Sequence, residues 1–194
     1  MRAHENPFRA ERLESLAFRW PESLNAERLL DKWHALNRRA ALIAPKGHGK
    51  TTLLGTLMPH WEAEGWIIRR YVLREESPRF PQGYEHGEVR QWNRQTLLLL
   101  DGSEQLTPWS WWRWKRWSRQ AGGVLITRHR PGGLPTLWQL ETSPSLLTNL
   151  LAELWPGSLS DLPASPEKLW QQRKGDMRLI FRDLYDWAAQ QEPS

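Results

Sequence analysis

The sequence predicts an α/β fold: a three-layer αβα sandwich on a parallel sheet of five strands, followed by a small C-terminal helical part. Three observations carry this expectation. Short apolar runs at 40–44, 65–73, 96–101, 124–127 and 136–140 alternate with segments of helical period, the pattern of βαβ units with right-handed crossovers. The run "TLLLLD" at 96–101 is apolar on both faces, as a strand buried inside a parallel sheet must be. From Ser143 onward the strand patterns stop and three helical patterns follow.

The elements follow in order. "NAERLLDKWHALN" (25–37) reads as a helix: Asn25 can cap it, Glu27 suits its positive end, and Leu29, Leu30, Trp33 and Leu36 share a face. It leads directly into the strand "AALIA". After a Gly-containing loop, "KTTLLGTLM" starts a helix that Pro59 is expected to kink or end. "GWIIRRYVL" is the second strand, and 75–95 reads as a polar loop with some helix. After the third strand, Thr107 and Pro108 open the helix "WSWWRWKRWSRQ", which stops at Gly122-Gly123. "VLIT" and "TLWQL" complete the strands, and "SPSLLTNLLAELW", "SPEKLWQQR" and "DMRLIFRDLYDWAAQ" are the closing helices.

Composition narrows the function classes. The 194 residues suit one domain. With no cysteine, disulfides and thiolate metal sites are excluded. The six histidines show no metal-ligand spacing, and no G-x-S-x-G nucleophile context occurs. The N-terminus has no apolar signal region, and the longest aliphatic run, Leu97–Leu100, cannot span a bilayer. A cytoplasmic protein without membrane contact is expected. The net charge of +5 fits polyanionic ligands. From Gln105 to Leu140 there is no acidic residue, while Arg113, Lys115, Arg116, Arg119, Arg128 and Arg130 all fall there.

"APKGHGKT" (44–51) stands where a strand passes into a helix. A phosphate cradle needs glycines so that backbone N–H groups can turn inward, a helix N-terminus, a lysine for the β- and γ-phosphates and a hydroxyl for Mg²⁺. The segment Pro45, Lys46, Gly47, His48, Gly49, Lys50, Thr51 and Thr52 supplies these, with Ala44 where the pattern G-x-x-x-x-G-K-[ST] wants Gly. Ala is tolerable there if its φ is negative. His48 either touches phosphate or faces solvent. "LLLLDGSEQL" ends the third strand in Asp101, at the carboxyl edge of a parallel sheet where ligands bind. Asp101 can hold Mg²⁺ through water beside Thr51. Glu104 can orient or deprotonate an attacking water, its other reading being a solvated loop carboxylate.

Together these residues resemble the P-loop NTPases of the additional-strand type, especially the AAA+ and STAND (NACHT-like) ATPases. "DGSEQ" is similar to the D-G-x-D-E strand end of STAND proteins, with Gln105 departing from it. "VLITRHRP" is similar to their T-S-R-P strand end, with Thr127 matching and Arg128-His129-Arg130 replacing a Ser-Arg pair. "GDMR" (175–178) resembles the start of the AAA+ sensor helix. The resemblance covers roughly 40–182. It implies an ATP-binding core at 40–142, an N-terminal helical segment at 1–39 packed on it and a helical lid at 143–194, in one compact unit. ATP over GTP rests on the resemblance, since no N-K-x-D motif follows the core. The family's effector and repeat domains have no counterpart in these residues.

Phosphoryl transfer needs cations where the γ-phosphate develops charge. Arg128 and Arg130 follow the fourth strand, and Arg130 is favoured because it precedes Pro131, as the Arg of T-S-R-P precedes its Pro. A basic loop rim is the other reading of both. Arg178 stands in the first turn of the last helix, beside the apolar face Met177, Ile180, Phe181, Leu184 and Trp187. A cation there opposes the helix dipole by roughly 0.3–1 kcal/mol, which a facing phosphate would offset. Asn6-Pro7-Phe8 is a conjectured source of adenine contacts.

Of fourteen tryptophans, five sit in "WSWWRWKRW". On a helical wheel Trp111, Trp114, Trp117 and Ala121 share one side as core. Trp112 lies with Lys115, Arg116 and Arg119 on the other, and Trp109 is near its edge. Trp109, Trp112, Arg113 and Arg116 thus form a candidate surface for a protein partner or for single-stranded nucleic acid, or else indoles lie flat on their own surface under stacked Arg.

The expected function is a small ATPase or ATP-dependent switch with Mg²⁺, which converts ATP to ADP and regulates a partner. The roles are Lys50 and the loop backbone on phosphates, Thr51 and Asp101 on Mg²⁺, Glu104 on water, and Arg130 with Arg178 at the γ-phosphate. An oligomer in which a neighbour's arginine completes the site is compatible. The alternatives are a nucleic-acid-binding module with a weak nucleotide site and a small-molecule phosphotransferase.

Overall fold

The computed structural model describes residues 3–73 and 87–191. Its elements run α1 (Ala10–Glu14), α2 (Ala26–Ala35), β1 (Arg39–Ile43), α3 (Lys50–Ala63), β2 (Ile67–Val72), β3 (Thr96–Asp101), α4 (Pro108–Trp117), β4 (Gly123–Arg128), β5 (Thr136–Gln139), α5 (Pro144–Leu154), α6 (Pro166–Gln172) and α7 (Met177–Gln190). Of the polar loop expected over 75–95, residues 75–86 lie outside the described part, and Val89–Gln91 form a short 3-10 turn. Among the described residues, no helix is long and apolar enough to cross a membrane.

The helix starts follow from side-chain chemistry. Asn25 accepts from Arg28 N–H, Thr107 from Ser110 N–H, Ser143 from Leu146 N–H, Ser165 from Lys168 N–H and Asp176 from Leu179 N–H. Each cap satisfies a donor that a helix N-terminus cannot pair internally, worth about 1 kcal/mol. Pro108, Pro144 and Pro166 each follow such a cap at the first helical position, where a missing N–H costs nothing. Pro59 does not end α3, which continues to Ala63. Burial of Leu57 and Trp61 on either side of the proline holds the helix through the lost hydrogen bond.

Contacts divide the chain into two compact units. The larger comprises Trp20–Ala44 and Leu53–Leu140 and holds the sheet. All strands are parallel, in the order β2-β3-β4-β1-β5, so β4 lies between β1 and β3. Ala41, Ile43, Leu98, Leu100, Val124 and Ile126 cluster with Trp114. The intervening Leu42, Leu97, Leu99 and Leu125 are also fully buried, so both sheet faces are covered, as a parallel sheet requires. Trp33 of α2 is wholly enclosed, donates through Nε1 to the Val124 carbonyl, and meets Trp61 and Trp66 edge-on at 5.6 and 5.5 Å. A Cβ at Gly123 would lie 2.7 Å from the Trp33 ring, so the glycine that starts β4 is what admits this indole.

The smaller unit comprises the N-terminal residues to Arg19, Pro45–Thr52, and the chain from Glu141 on. Its core joins Phe8 with Leu147, Leu151 and Leu154 of α5, Leu169 of α6, and Met177, Ile180, Phe181 and Leu184 of α7. The apolar face expected on α7 is therefore the buried one, with Trp187 partly covered. Phe8 stacks on Trp155 at 5.9 Å and 5°. The buried Asn6 donates to the Tyr185 carbonyl and accepts from Phe8 N–H. Asn6 and Phe8, two of the three residues of the conjectured adenine contact, are thus engaged in packing.

Replacing Trp33 by Ala is expected to cost about 3–5 kcal/mol. A lower urea midpoint at unchanged slope would register it.

Candidate functional site

The glycine loop belongs to the smaller unit. Gly47 and Gly49 both have φ of 78°, left-handed backbone that residues with a Cβ rarely adopt and that turns successive N–H groups to one side. Ala44, in place of the pattern's first Gly, keeps a negative φ and is fully buried, which is why the substitution is accommodated. Pro45 has no N–H and shapes the loop without donating. Lys50 begins α3 and its Nζ donates to the Pro45 carbonyl at 2.8 Å. His48 Nδ1 lies 2.9 Å from the Lys46 carbonyl and donates to it, so the ring braces the loop. Thr51 and Thr52 occupy the exposed first turn of α3.

One more residue bears on the loop. A Cβ on Gly47 would overlap the carboxylate of Asp176, the same carboxylate that caps α7 through Leu179 N–H at 3.1 Å. Gly47 therefore needs to be glycine twice over, for its φ and for the room. Arg178, two residues into that cap, is exposed. Asp176 was visible in "GDMR", but nothing in its pattern marked a loop contact.

The second group of residues belongs to the sheet unit. β3 and β4 end side by side, with Leu100 opposite Ile126, which brings Asp101 and Thr127 together. The Thr127 hydroxyl donates to Asp101 Oδ1 at 2.6 Å and accepts from Gly102 N–H at 2.8 Å. Ser103 Oγ donates to the Thr127 carbonyl at 2.9 Å. Asp101 Oδ2 stands 3.8 Å from Arg70. Gly102 has φ of 83°, and a Cβ there would come within 2.6 Å of the Leu73 carbonyl oxygen. The turn after Asp101 is thereby fixed in direction.

Glu104 follows in a 3-10 turn, Ser103–Gln105. Its Oε1 is 3.1 Å from His129 Nε2, while its Oε2 is buried with no hydrogen-bond partner among the described residues. A buried carboxylate oxygen left unpaired is costly, and here it is a place for a donor such as water. His129 was missed by sequence reasoning, because the "RHR" triplet drew attention to its arginines. Arg128 ends β4, with its carbonyl accepting from Ala44 N–H at 3.0 Å. Its guanidinium packs 5.9 Å from the Trp111 ring, and a Cβ at Gly133 would lie 2.8 Å from its Nη1. Arg130 is exposed.

The tryptophan helix has the expected facing. Trp114 and Ala121 are buried, and Trp111 and Trp117 pack against the same cluster. Trp109 and Trp112 remain 65% and 53% exposed. Lys115, expected on the outer side with Arg116, stands one turn after Trp111 and therefore beside it, with Nζ 5.6 Å from the ring centroid. A four-carbon stem reaches one turn back along a helix.

No family model matches the chain, and no curated protein does. Solved structures do share its fold. It superimposes on domain III of the Thermotoga maritima replication initiation protein DnaA with a TM-score of 0.59 at 13% identity, covering 93% of this chain and 90% of that one. It is similar to the replication initiator DnaA bound to AMPPCP and single-stranded DNA, with a TM-score of 0.57 at 13% identity over 82% of this chain and 57% of that one. Thermotoga maritima RuvB follows at 0.51 and 15% identity, covering 84% of this chain and 60% of RuvB. The chain thus spans less than two thirds of the larger two. At 13–15% identity these likenesses show the fold: the chain has the α/β fold of the DnaA and RuvB domains it superimposes on.

Replacing Thr127 by Val would remove the hydroxyl that serves both Asp101 and Gly102. A loss of about 1–3 kcal/mol is expected, seen as a lowered thermal midpoint at equal far-ultraviolet signal.

Proposed function

We propose that this protein is an ATPase or ATP-dependent switch that uses Mg²⁺ and acts on a partner through its nucleotide state. The observation that carries the reading is the loop at 44–51, where a buried strand passes through two left-handed glycines, at φ of 78°, into a helix that begins with Lys50. That combination supplies inward N–H groups, a positive helix end and an ammonium, which is what a triphosphate needs. The fold neighbour bound to AMPPCP, an ATP analogue, supports it.

In this reading the loop backbone from Lys46 to Thr52 holds the phosphates, and Lys50 exchanges the Pro45 carbonyl for the β- and γ-phosphate oxygens. The Thr51 hydroxyl and the Asp101 carboxylate would hold Mg²⁺, which when bound neutralises charge on those oxygens. Such a donor set is sparse, as magnesium sites that keep several waters are. Glu104 takes the proton of the attacking water at Oε2, while His129 holds Oε1. The water oxygen bonds to the γ-phosphorus as the bond to the bridging oxygen of ADP breaks. Arg130 and Arg178, both exposed cations, read the γ-phosphate. Arg178 sits in the helix whose cap touches Gly47, so a change at the loop has a direct mechanical route to α7. Asp176 adds negative charge beside the loop, so bound phosphate favours moving that cap away.

Three outcomes test this. Glu104→Gln should retain Mg-ATP affinity and lower steady-state phosphate release by about 10²–10⁴-fold. Gly47→Ala should abolish binding, since it both strains the loop and meets Asp176. Native chain that neither binds Mg-ATP nor releases phosphate would overturn the proposal.

A further inference from the structure

The exposed face of α4 is not used by the nucleotide reading. Trp109 and Trp112 lie one turn apart with their rings parallel, 5.1 Å between centroids and 16° between planes. Single exposed apolar residues are ordinary on protein surfaces. Two indoles stacked on each other and both more than half exposed are a different object, because the pair leaves a broad, flat π-face open to solvent.

Cations continue the same row. Arg116 follows Trp112 by four residues, and Arg119 stands in the 3-10 turn that prolongs the helix. Positions 109, 112, 116 and 119 recur at helical spacing, a stripe of roughly 15 Å at 1.5 Å per residue. Beyond it the crowding increases. Arg39 donates to the carbonyls of Ser118 and Ala121 at 2.8 and 3.0 Å. Burial, and then the like charges of Arg94, Arg119 and Arg38, hold the Arg39 guanidinium below its usual range. Guanidinium groups gathered at cost to one another favour an anionic occupant. The stretch from Gln105 to Leu140 itself contributes no carboxylate to this face.

We propose that this face binds single-stranded nucleic acid: an unpaired base lies on the open indole face of the Trp109–Trp112 pair, and the adjoining phosphates follow Arg116 and Arg119 toward Arg39 and Arg94. The chemistry selects a polyanion over a protein partner, since the row has cations and π-faces and no acceptor for a basic or neutral peptide. It selects single strands over duplex, since a duplex hides the π-faces of its bases. The inference stands apart from the nucleotide reading, because none of its residues lies in the glycine loop or at the ends of β3 and β4.

The test is fluorescence anisotropy of the full chain with labelled mixed-sequence single-stranded DNA, the matching RNA and the DNA duplex. Oligomers of about 12 nucleotides lie within the ~4–16 nucleotide site sizes of comparable platforms. Single strands should bind more tightly than duplex, with an affinity that falls with salt by about 0.7 in log–log slope for each phosphate engaged. Trp109→Ala and Trp112→Ala should each weaken binding by about fivefold or more, and Trp112→Phe should keep most of it. Arg116→Glu with Arg119→Glu should flatten the salt slope. All these side chains are exposed or half-exposed, and circular dichroism of each variant checks the fold. The DNA and RNA arms identify which strand chemistry is preferred. Equal binding of duplex, native-like binding by both Trp→Ala variants, or no single-strand binding at low salt would each overturn the proposal, the last assigning the face to a protein.

Discussion

The hydroxyl of Thr127 is the smallest part on which the sheet's functional edge depends. It donates to Asp101 and accepts from the N–H of Gly102, so a single buried side chain satisfies a carboxylate and fixes the turn that follows it. Hydrogen bonds to charged groups contribute about 1.5–3 kcal/mol, more than neutral ones. Only a strand lying directly beside β3 can deliver such a contact. The order β2-β3-β4-β1-β5 supplies it, with β4 inserted between the strand that leads to the glycine loop and the strand that ends in Asp101. The inserted strand both fills the sheet and positions its polar residue.

The abundance of tryptophan has two physical explanations. Trp33, Trp61 and Trp114 are fully buried and fill space between the sheet and its helices, where large rings provide much apolar area per residue and Gly123 makes the room for one of them. In the smaller unit Phe8, Trp155 and Trp187 do the same for the terminal helices. Trp109 and Trp112 belong to neither core, and the cations beyond them give that surface a chemical character of its own.

Much of this was legible in the sequence, for reasons that can be named. The five strands are short apolar runs with clear turn residues, and Asn25 and Thr107 announced their helix starts because capping is a local interaction. The two faces of α4 were readable because helical period sorts side chains without reference to the rest of the fold. Pairings across strands were not. The contact of His129 with Glu104 and that of Asp176 with Gly47 join residues 25 or more positions apart in sequence, and no spacing rule reports them. Persistence of α3 past Pro59 was missed because tertiary burial of Leu57 and Trp61 outweighs a local preference.

The glycine loop at 44–51 is the feature from which the functional reading grows, and its capacity to hold a triphosphate is measurable directly. Titration calorimetry of Mg-ATP into the native chain beside Lys50→Ala is the decisive measurement. Heat of binding in the native chain that disappears in Lys50→Ala is the expected result. Equal binding by both proteins, or none by the native chain, would contradict a working phosphate loop.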